Sequence, residues 1–269
     1  MDFQKITSST DKYNFHTHTH FCDGRATMDE MAAAAVAAGF VHVGFTPHSP
    51  IHIPSPCNMS SDSVPLYKEN LKRLKDRYAG VCEFYLGMEI DYLDPQHGPA
   101  SKIYADYGLD YSIGSVHFIK NQEGVFVDVD GKFDSFRQKM AEFFHDDINY
   151  VVAEFYRSSS EMLSLGGFEI LGHFDKIGQN ASYYRPGIED EPWYRRLVGD
   201  YIDQIVASGI TIEINTKARA EHGRFFPGER YWKRLLEAGV PVVVNSDAHY
   251  THLIDASRKE AFDLLNSLR

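Results

Sequence analysis

Seven short β-rich runs, separated by helical stretches, constrain this chain more than any other feature. They are 13–15, 41–46, 83–87, 111–113, 168–171, 210–214 and 240–244. Several are continuous in apolar residues, as in Val242-Val243-Val244, rather than alternating. Strands covered on both faces of a parallel sheet read this way. Helix signals lie between them. Thr27-Met28-Asp29-Glu30 has the pattern of a capping box, good helix formers follow to Ala38, and Gly39 supplies a stop. Residues 63–78, 193–207, 227–238 and 254–268 read as further helices, with Pro227 opening one of them. The alternation predicts one α/β domain spanning 1–269, its parallel sheet open or closed into a barrel. Segments 47–62 and 174–191, rich in Pro, Ser, Asn and Gly, read as long loops at the active-site end.

Composition narrows the function classes. With 43% hydrophobic and 24% charged residues, the chain is neither disordered nor fibrous. Lys and Arg number 27 against 38 Asp and Glu, a net charge of −11, which argues against nucleic acid or an anionic membrane as partner. Cys22, Cys57 and Cys82 form no CxxC pair and fit free thiols in a reducing compartment. No apolar run approaches the ~18 residues of a membrane span, and the first residues lack the apolar core of a secretory signal. The expectation is a cytoplasmic protein of unassigned oligomeric state.

Each strand-like run is followed by a residue type that ligates metals. His16-Thr17-His18 and then Asp23 follow the first, and His48 the second. Glu89 follows the third, His117 the fourth and His173 the fifth. Glu213 and Asn215 end the sixth; Asp247 and His249 follow the seventh. In a parallel barrel all C-terminal strand ends meet at one mouth, so these distant residues would converge. On a strand, side chains two apart share a face, so both rings of His-x-His reach one ion, and so do Asp247 and His249. One histidine at a strand end is more often a satisfied polar residue than a ligand. Six histidines and three carboxylates at the same end of their strands are not explained that way. The other histidines, at 20, 42, 52, 97, 145, 222 and 252, show no such placement, and Cys22 reads as a packing residue. Nine candidate ligands exceed the three or four protein ligands of a single zinc, so two or three ions are expected, with Glu89 a reasonable bridge. A water between such ions becomes a hydroxide nucleophile near neutral pH.

Together the motifs resemble the polymerase and histidinol phosphatase (PHP) superfamily. His16-Thr17-His18 with Asp23-Gly24 is similar to its first motif. Thr46-Pro47-His48 is similar to the second, with Pro47 where the familiar form has Asp. Gly87–Asp91 with His117 and Gly172-His173 resembles the third, and Asn245–His249 the last. The length and the strings Gly-His-Phe-Asp and Glu-Ile-Asn-Thr are similar to stand-alone histidinol phosphatases. The resemblance implies a TIM-barrel-like, distorted (β/α)7 barrel with three divalent ions (Zn, Mn or Fe) at its C-terminal strand ends. It implies one ion on His16, His18, Glu89 and Asp247, a second on Glu89, His117 and His173, and a third on Asp23, His48 and His249. Many relatives place a histidine where this chain has Gly24, which marks the third site as different. The implied reaction is hydrolysis of L-histidinol phosphate to L-histidinol and phosphate, in histidine biosynthesis. Glu89, Asp247 and His249 would carry the chemistry, with a metal-bridging hydroxide attacking phosphorus and a bound Asp or His giving the leaving alkoxide its proton.

Phosphoryl oxygens need cations, and arginine suits them by its fork geometry. Arg185 and Arg219 are the first expectation, with Lys176, Lys217 and Arg224 also past strand ends. Asp175 is placed to orient a ligand imidazole. Tyr156, Tyr183, Tyr184, Phe225 and Phe226 are expected on loops, where they would pack an imidazole ring or cover the rim. Three competing readings remain. Another PHP phosphoesterase would act on a phosphotyrosine, a sugar phosphate or a nucleotide. A non-hydrolytic module of the kind attached to polymerases is disfavoured by the complete ligand set. An amidohydrolase would need a bridging lysine, a role that Glu89 takes here.

Overall fold

A computed structural model describes residues 1–268; Arg269 lies outside the described residues. The chain begins with α1 (Phe3–Ser9), β1 (Tyr13–Asn14), α2 (Met28–Ala37), β2 (His42–Phe45), α3 (Val64–Arg77), β3 (Glu83–Leu86) and β4 (Glu89–Asp91). It continues through α4 (Lys102–Ala105), β5 (Ile113–Ser115), β6 (Phe118–Lys120), β7 (Phe126–Asp128), α5 (Phe133–Phe143) and α6 (Ile148–Leu165). The last part holds β8 (Ile170–Leu171), α7 (Ile177–Tyr184), α8 (Pro192–Ser208), β9 (Thr211–Asn215), α9 (Arg219–His222), α10 (Trp232–Glu237), β10 (Val242–Asn245) and α11 (Arg258–Leu268).

Parallel pairing passes from strand to strand around a ring. One sheet runs β1-β2-β3 and another β10-β9-β8-β5-β4. β3 and β4 are two halves of one strand interrupted at Gly87-Met88, the first pairing with β2 and the second with β5. Parallel bridges between His48 and Glu89 and between Thr17 and Ala248 join the two sheets. Seven parallel strands therefore succeed one another and return to the start, which is the distorted α/β barrel expected. The seam between β1 and β10 has little ladder, and side chains replace it. Asn14 Nδ2 donates to Ser246 Oγ (2.6 Å), and Asn245 Oδ1 accepts from the Phe15 amide (2.8 Å). The buried Arg258 guanidinium donates to the carbonyls of Val244, Asp11 and Tyr13, tying α11 across the seam.

Aromatic residues fill the end of the ring opposite the strand C-termini. Phe3 of α1 sits edge-on to Phe15 (5.0 Å) and Tyr111 (5.4 Å), in a cluster with Tyr13, Ile113, Ile170 and Val243. Each such buried side chain contributes about 1.5–3 kcal/mol of burial free energy. Gly44 is required beside this cluster, since a Cβ there would run into the Tyr111 ring.

The capping box on α2 is formed as expected, with Thr27 accepting from the Glu30 amide and Glu30 accepting from the Thr27 amide. Other elements differ from expectation. The antiparallel hairpin β6–β7 and the helices α5 and α6 are additional. Tyr156 is not on a loop but fully buried in α6. Segment 174–191 is largely helical, because α7 buries Ile177 and Ala181 and its packing overrides the turn-forming residues. Helix 227–238 shortens to α10 behind a 3-10 turn at Glu229–Tyr231, and α11 begins at Arg258 rather than at 254. Among the described residues no helix is long and apolar enough to cross a membrane.

Candidate metal centre

The barrel brings all nine expected ligands to one mouth. His16 Nε2 lies 3.1 Å from His18 Nε2 and 3.2 Å from Glu89 Oε2, and Asp247 Oδ1 is 3.1 Å from His18 Nε2. The other Glu89 oxygen, Oε1, lies 2.8 Å from His173 Nε2 and 3.5 Å from His117 Nε2. Asp23 Oδ1 lies 3.2 Å from His249 Nε2 and 3.7 Å from His48 Nε2. The groups close enough to share an ion are His16, His18 and Glu89; His16, His173 and Asp247; His48, Glu89 and His117; and His18, Asp23, His48 and His249, which cut across the expected ligand sets. His48 turns its other nitrogen, Nδ1, to Glu89 Oε2 (3.1 Å), so the sets are linked.

For His16, His117 and His249, an oxygen acceptor on the far side of the ring fixes which nitrogen is bare. His16 Nδ1 donates to Glu213 (2.7 Å) and His117 Nδ1 to Asp91 (2.6 Å), leaving both Nε2 lone pairs aimed inward. His249 Nδ1 donates to the Asp247 carbonyl (3.0 Å), and His18 Nδ1 meets Cys22 Sγ (3.3 Å). Glu213 also accepts from Asn215 Nδ2 (3.1 Å), Asn245 Nδ2 (3.0 Å) and the His173 amide (3.2 Å). It is thus an orienting carboxylate. Asp247 has φ +50, in the left-handed region that few non-glycine residues adopt. Gly24 has no room for a side chain, because a Cβ would run into the backbone of His18 and Thr19. That close approach explains the absence of a histidine there, and Asp23 reaches the site instead.

The electrostatics are those of a site built for cations. Burial disfavours charge on Glu89, but His16, His48 and His117 hold its carboxyl well below the usual range. Burial acts likewise on Asp247, and Lys217, His16 and His18 overcome it. For His117 burial is outweighed by Asp91 and Glu89, which push it up to about 9. His18, His48 and His173 are lowered, chiefly by burial, whereas for His16 burial is outweighed by Glu213, Glu89 and Asp247, which raise it. Asp23 Oδ1 is buried with no hydrogen-bond partner, facing His48 and His249. An orphaned carboxylate oxygen and converging imidazole lone pairs are costly unless a cation joins them. The donor set of imidazole nitrogen and carboxylate oxygen fits divalent metal ions.

The cluster floors a cavity of about 800 Å³. Of the expected cations, Lys217 and Lys176 line it. Lys217 Nζ lies 3.3 Å from both Asp247 Oδ1 and His249 Nε2, and Lys176 Nζ lies 2.7 Å from Asp130 Oδ2. Arg185 and Arg219 do not line it. Arg185 pairs with Glu191 and donates to Asn149, while Arg219 pairs with Glu229 and Glu260 and covers the Phe225 ring. Arg224 joins Asp175 and Glu189 in a largely buried ion network, so Asp175 braces that network and orients no ligand imidazole. Phe225 and Phe226 are buried outside the cavity lining. The orienting role of Asp91 is the main addition. Its position two past Glu89 on one strand face was the available signal.

Comparison with known proteins agrees with this geometry. A histidinol-phosphatase of Bacillus subtilis (strain 168) is 26% identical over 255 residues, covering 88% of this chain and 93% of its own. The hisK protein of Listeria monocytogenes shares the fold with a TM-score of 0.81 at 19% identity, over 93% of this chain and 99% of that one. The histidinol phosphate phosphatase of Lactococcus lactis, solved with zinc, L-histidinol and phosphate, has a TM-score of 0.69 at 18% identity, over 96% and 94%. Residues 14–217 match the PHP domain model, and they carry seven of the nine converging ligand residues. The chain belongs to the PHP domain family.

Proposed function

We propose that this chain is a metal-dependent phosphomonoesterase that hydrolyses L-histidinol phosphate to L-histidinol and phosphate, in histidine biosynthesis. The observation that carries the reading is Glu89, whose two oxygens face separate histidine sets at the floor of the cavity. The Bacillus relative's name and the ligands of the Lactococcus structure support the substrate. On this reading residues 1–269 are one domain working in the cytoplasm on a small phosphorylated substrate.

The assigned complement is three divalent ions, of Zn, Mn or Fe. His16, His18, Glu89 and Asp247 would hold one, Glu89, His117 and His173 the second, and Asp23, His48 and His249 the third. Such ions, when bound, neutralise charge on phosphoryl oxygens and lower the pKa of water. The protein's part is orientation. Glu213 and Asp91 keep protons on His16 Nδ1 and His117 Nδ1, so that each Nε2 keeps its lone pair for the centre. Lys217, beside Asp247 and His249, brings a positive charge to the edge where a phosphoryl group would lie. Val127, Phe118 and Phe126 give the far wall an apolar surface for the rest of the substrate.

The test is phosphate release from L-histidinol phosphate by metal-loaded protein. We expect turnover of about 1–1000 per second, lost on chelation. Inert L-histidinol phosphate at micromolar enzyme, with a phosphotyrosine, sugar phosphate or nucleotide cleaved instead, would overturn the substrate assignment.

A further inference from the structure

Two charged pairs lining the cavity, Asp128–Lys139 and Asp130–Lys176, have no task in holding metals. Among the described lining residues, Asp23 and Glu89 face the histidines, Asp247 faces His18 and Lys217, and Asp91 supports His117. Asp128 pairs with Lys139 of α5 (2.7 Å). Asp130 pairs with Lys176, whose charge belongs to the phosphate end of the cavity: Lys176 acts electrostatically on His117 and His173. Both side chains are largely buried, at 15% exposure for Lys176 and 31% for Asp130.

The loop that carries Asp130 is locked to the metal cluster. The Val129 amide donates to the carbonyl of His117 (2.9 Å), and the Asp130 amide to Asp128 Oδ1 (2.8 Å). Asn180 of α7 donates to the carbonyls of Gly131 (3.2 Å) and Val129 (3.4 Å). The carboxylate therefore has a fixed place relative to His117, whereas lysine is a flexible point charge that changes partners readily. A carboxylate here is a liability for a plain phosphate dianion, since like charges repel in a site screened from water. It becomes an asset when the substrate brings its own cation.

Resting on the phosphatase reading above, we propose that Asp130 determines specificity by receiving the ammonium group of an amino-alcohol phosphate, while Lys176, released from it, moves to a phosphoryl oxygen. The resident ion pair thus stands in for the two charged ends of the substrate. In a β-amino alcohol phosphate three bonds separate the ammonium nitrogen from the ester oxygen, so both ends fit one small region. The exchange leaves no charge unpaired: the Lys–carboxylate pair gives way to an ammonium–carboxylate and a Lys–phosphate pair, each charge-assisted.

The experiment measures kcat/KM of the metal-loaded protein on two matched pairs of esters. One pair is L-histidinol phosphate and its analogue lacking the amine; the other is 2-aminoethyl phosphate and ethyl phosphate. We expect the wild-type protein to prefer the amine-bearing member roughly 10- to 100-fold, the loss expected for one hydrogen bond to a charged group. In Asp130→Asn the preference collapses towards one, with the amine-free esters changed less than about threefold. In Asp130→Glu part of the preference returns. An equal fall on both members would show that Asp130 only holds Lys176, and would overturn the inference. So would an unchanged ratio, or a wild-type preference for the amine-free esters, which needs no variant to fold. If the preference survives on 2-aminoethyl phosphate while L-histidinol phosphate stays inert, the substrate assignment above falls and the role of Asp130 stands.

Discussion

On one wall of the cavity, His48, Glu89, His117, Asp247 and His249 stand at or near strand ends, with His16, His18 and His173 buried behind them. On the other, Phe118, Asp128 and Asp130 come from the β6–β7 hairpin and its exit, and Lys139 from α5. The first wall is held by the ring of parallel strands, and its rings are steered by buried carboxylates. The second is held by Val129 and Asn180 contacts to loop carbonyls, and its charges are paired with one another. On the readings proposed above, the fixed scaffold would supply metal chemistry and the added hairpin discrimination between substrates. Changes to the first wall should abolish turnover, and changes to the second should redistribute it among substrates.

The largest effect should follow Glu89→Ala, which removes the carboxylate shared by two ligand sets. We expect kcat/KM on L-histidinol phosphate to fall by at least about a thousandfold, with metal content per chain reduced. Retention of near wild-type rates with metal in excess would break the distinction between the walls. Next comes Asp91→Asn, which leaves every expected metal donor in place but replaces the charged acceptor of the His117 proton by a neutral amide. A loss of roughly 10- to 100-fold in metal affinity or activity is expected, in line with other partners of ligand histidines. The pair Lys217→Ala and Arg219→Ala sharpens the picture at the rim. Losing the Lys217 charge should raise KM about tenfold, equally for amine-bearing and amine-free esters, whereas Arg219→Ala should leave KM within about twofold. If Arg219→Ala proves the more damaging of the two, the cavity's phosphate end has been drawn in the wrong place.

The first wall could be read from the letters because two simple rules generate it. Strand side chains alternate, which pairs His16 with His18 and Glu89 with Asp91, and parallel strands deliver their ends to one mouth. The second wall depends on pairings that local sequence does not encode. Arg185 and Arg219 follow strand ends just as Lys176 and Lys217 do, yet Glu191, Glu229 and Glu260 draw the arginines away. Asp175 sits two residues past a ligand, as Asp91 sits two past Glu89, but Arg224 and the Gly228 amide claim it. The helix α6 had a periodic signal in Ile148, Val151, Val152, Phe155, Met162 and Leu163, diluted by Ser158-Ser159-Ser160. Gly24 is legible only in three dimensions, through the His18 and Thr19 backbone that crosses it.

The central claim is that nine side chains from all round the barrel form one polynuclear cation site. Metal analysis of the purified wild-type protein, after equilibration with zinc or manganese and removal of the excess, tests it most directly. The account predicts three ions per chain, falling in Glu89→Ala. A protein that retains no ion under those conditions would contradict it.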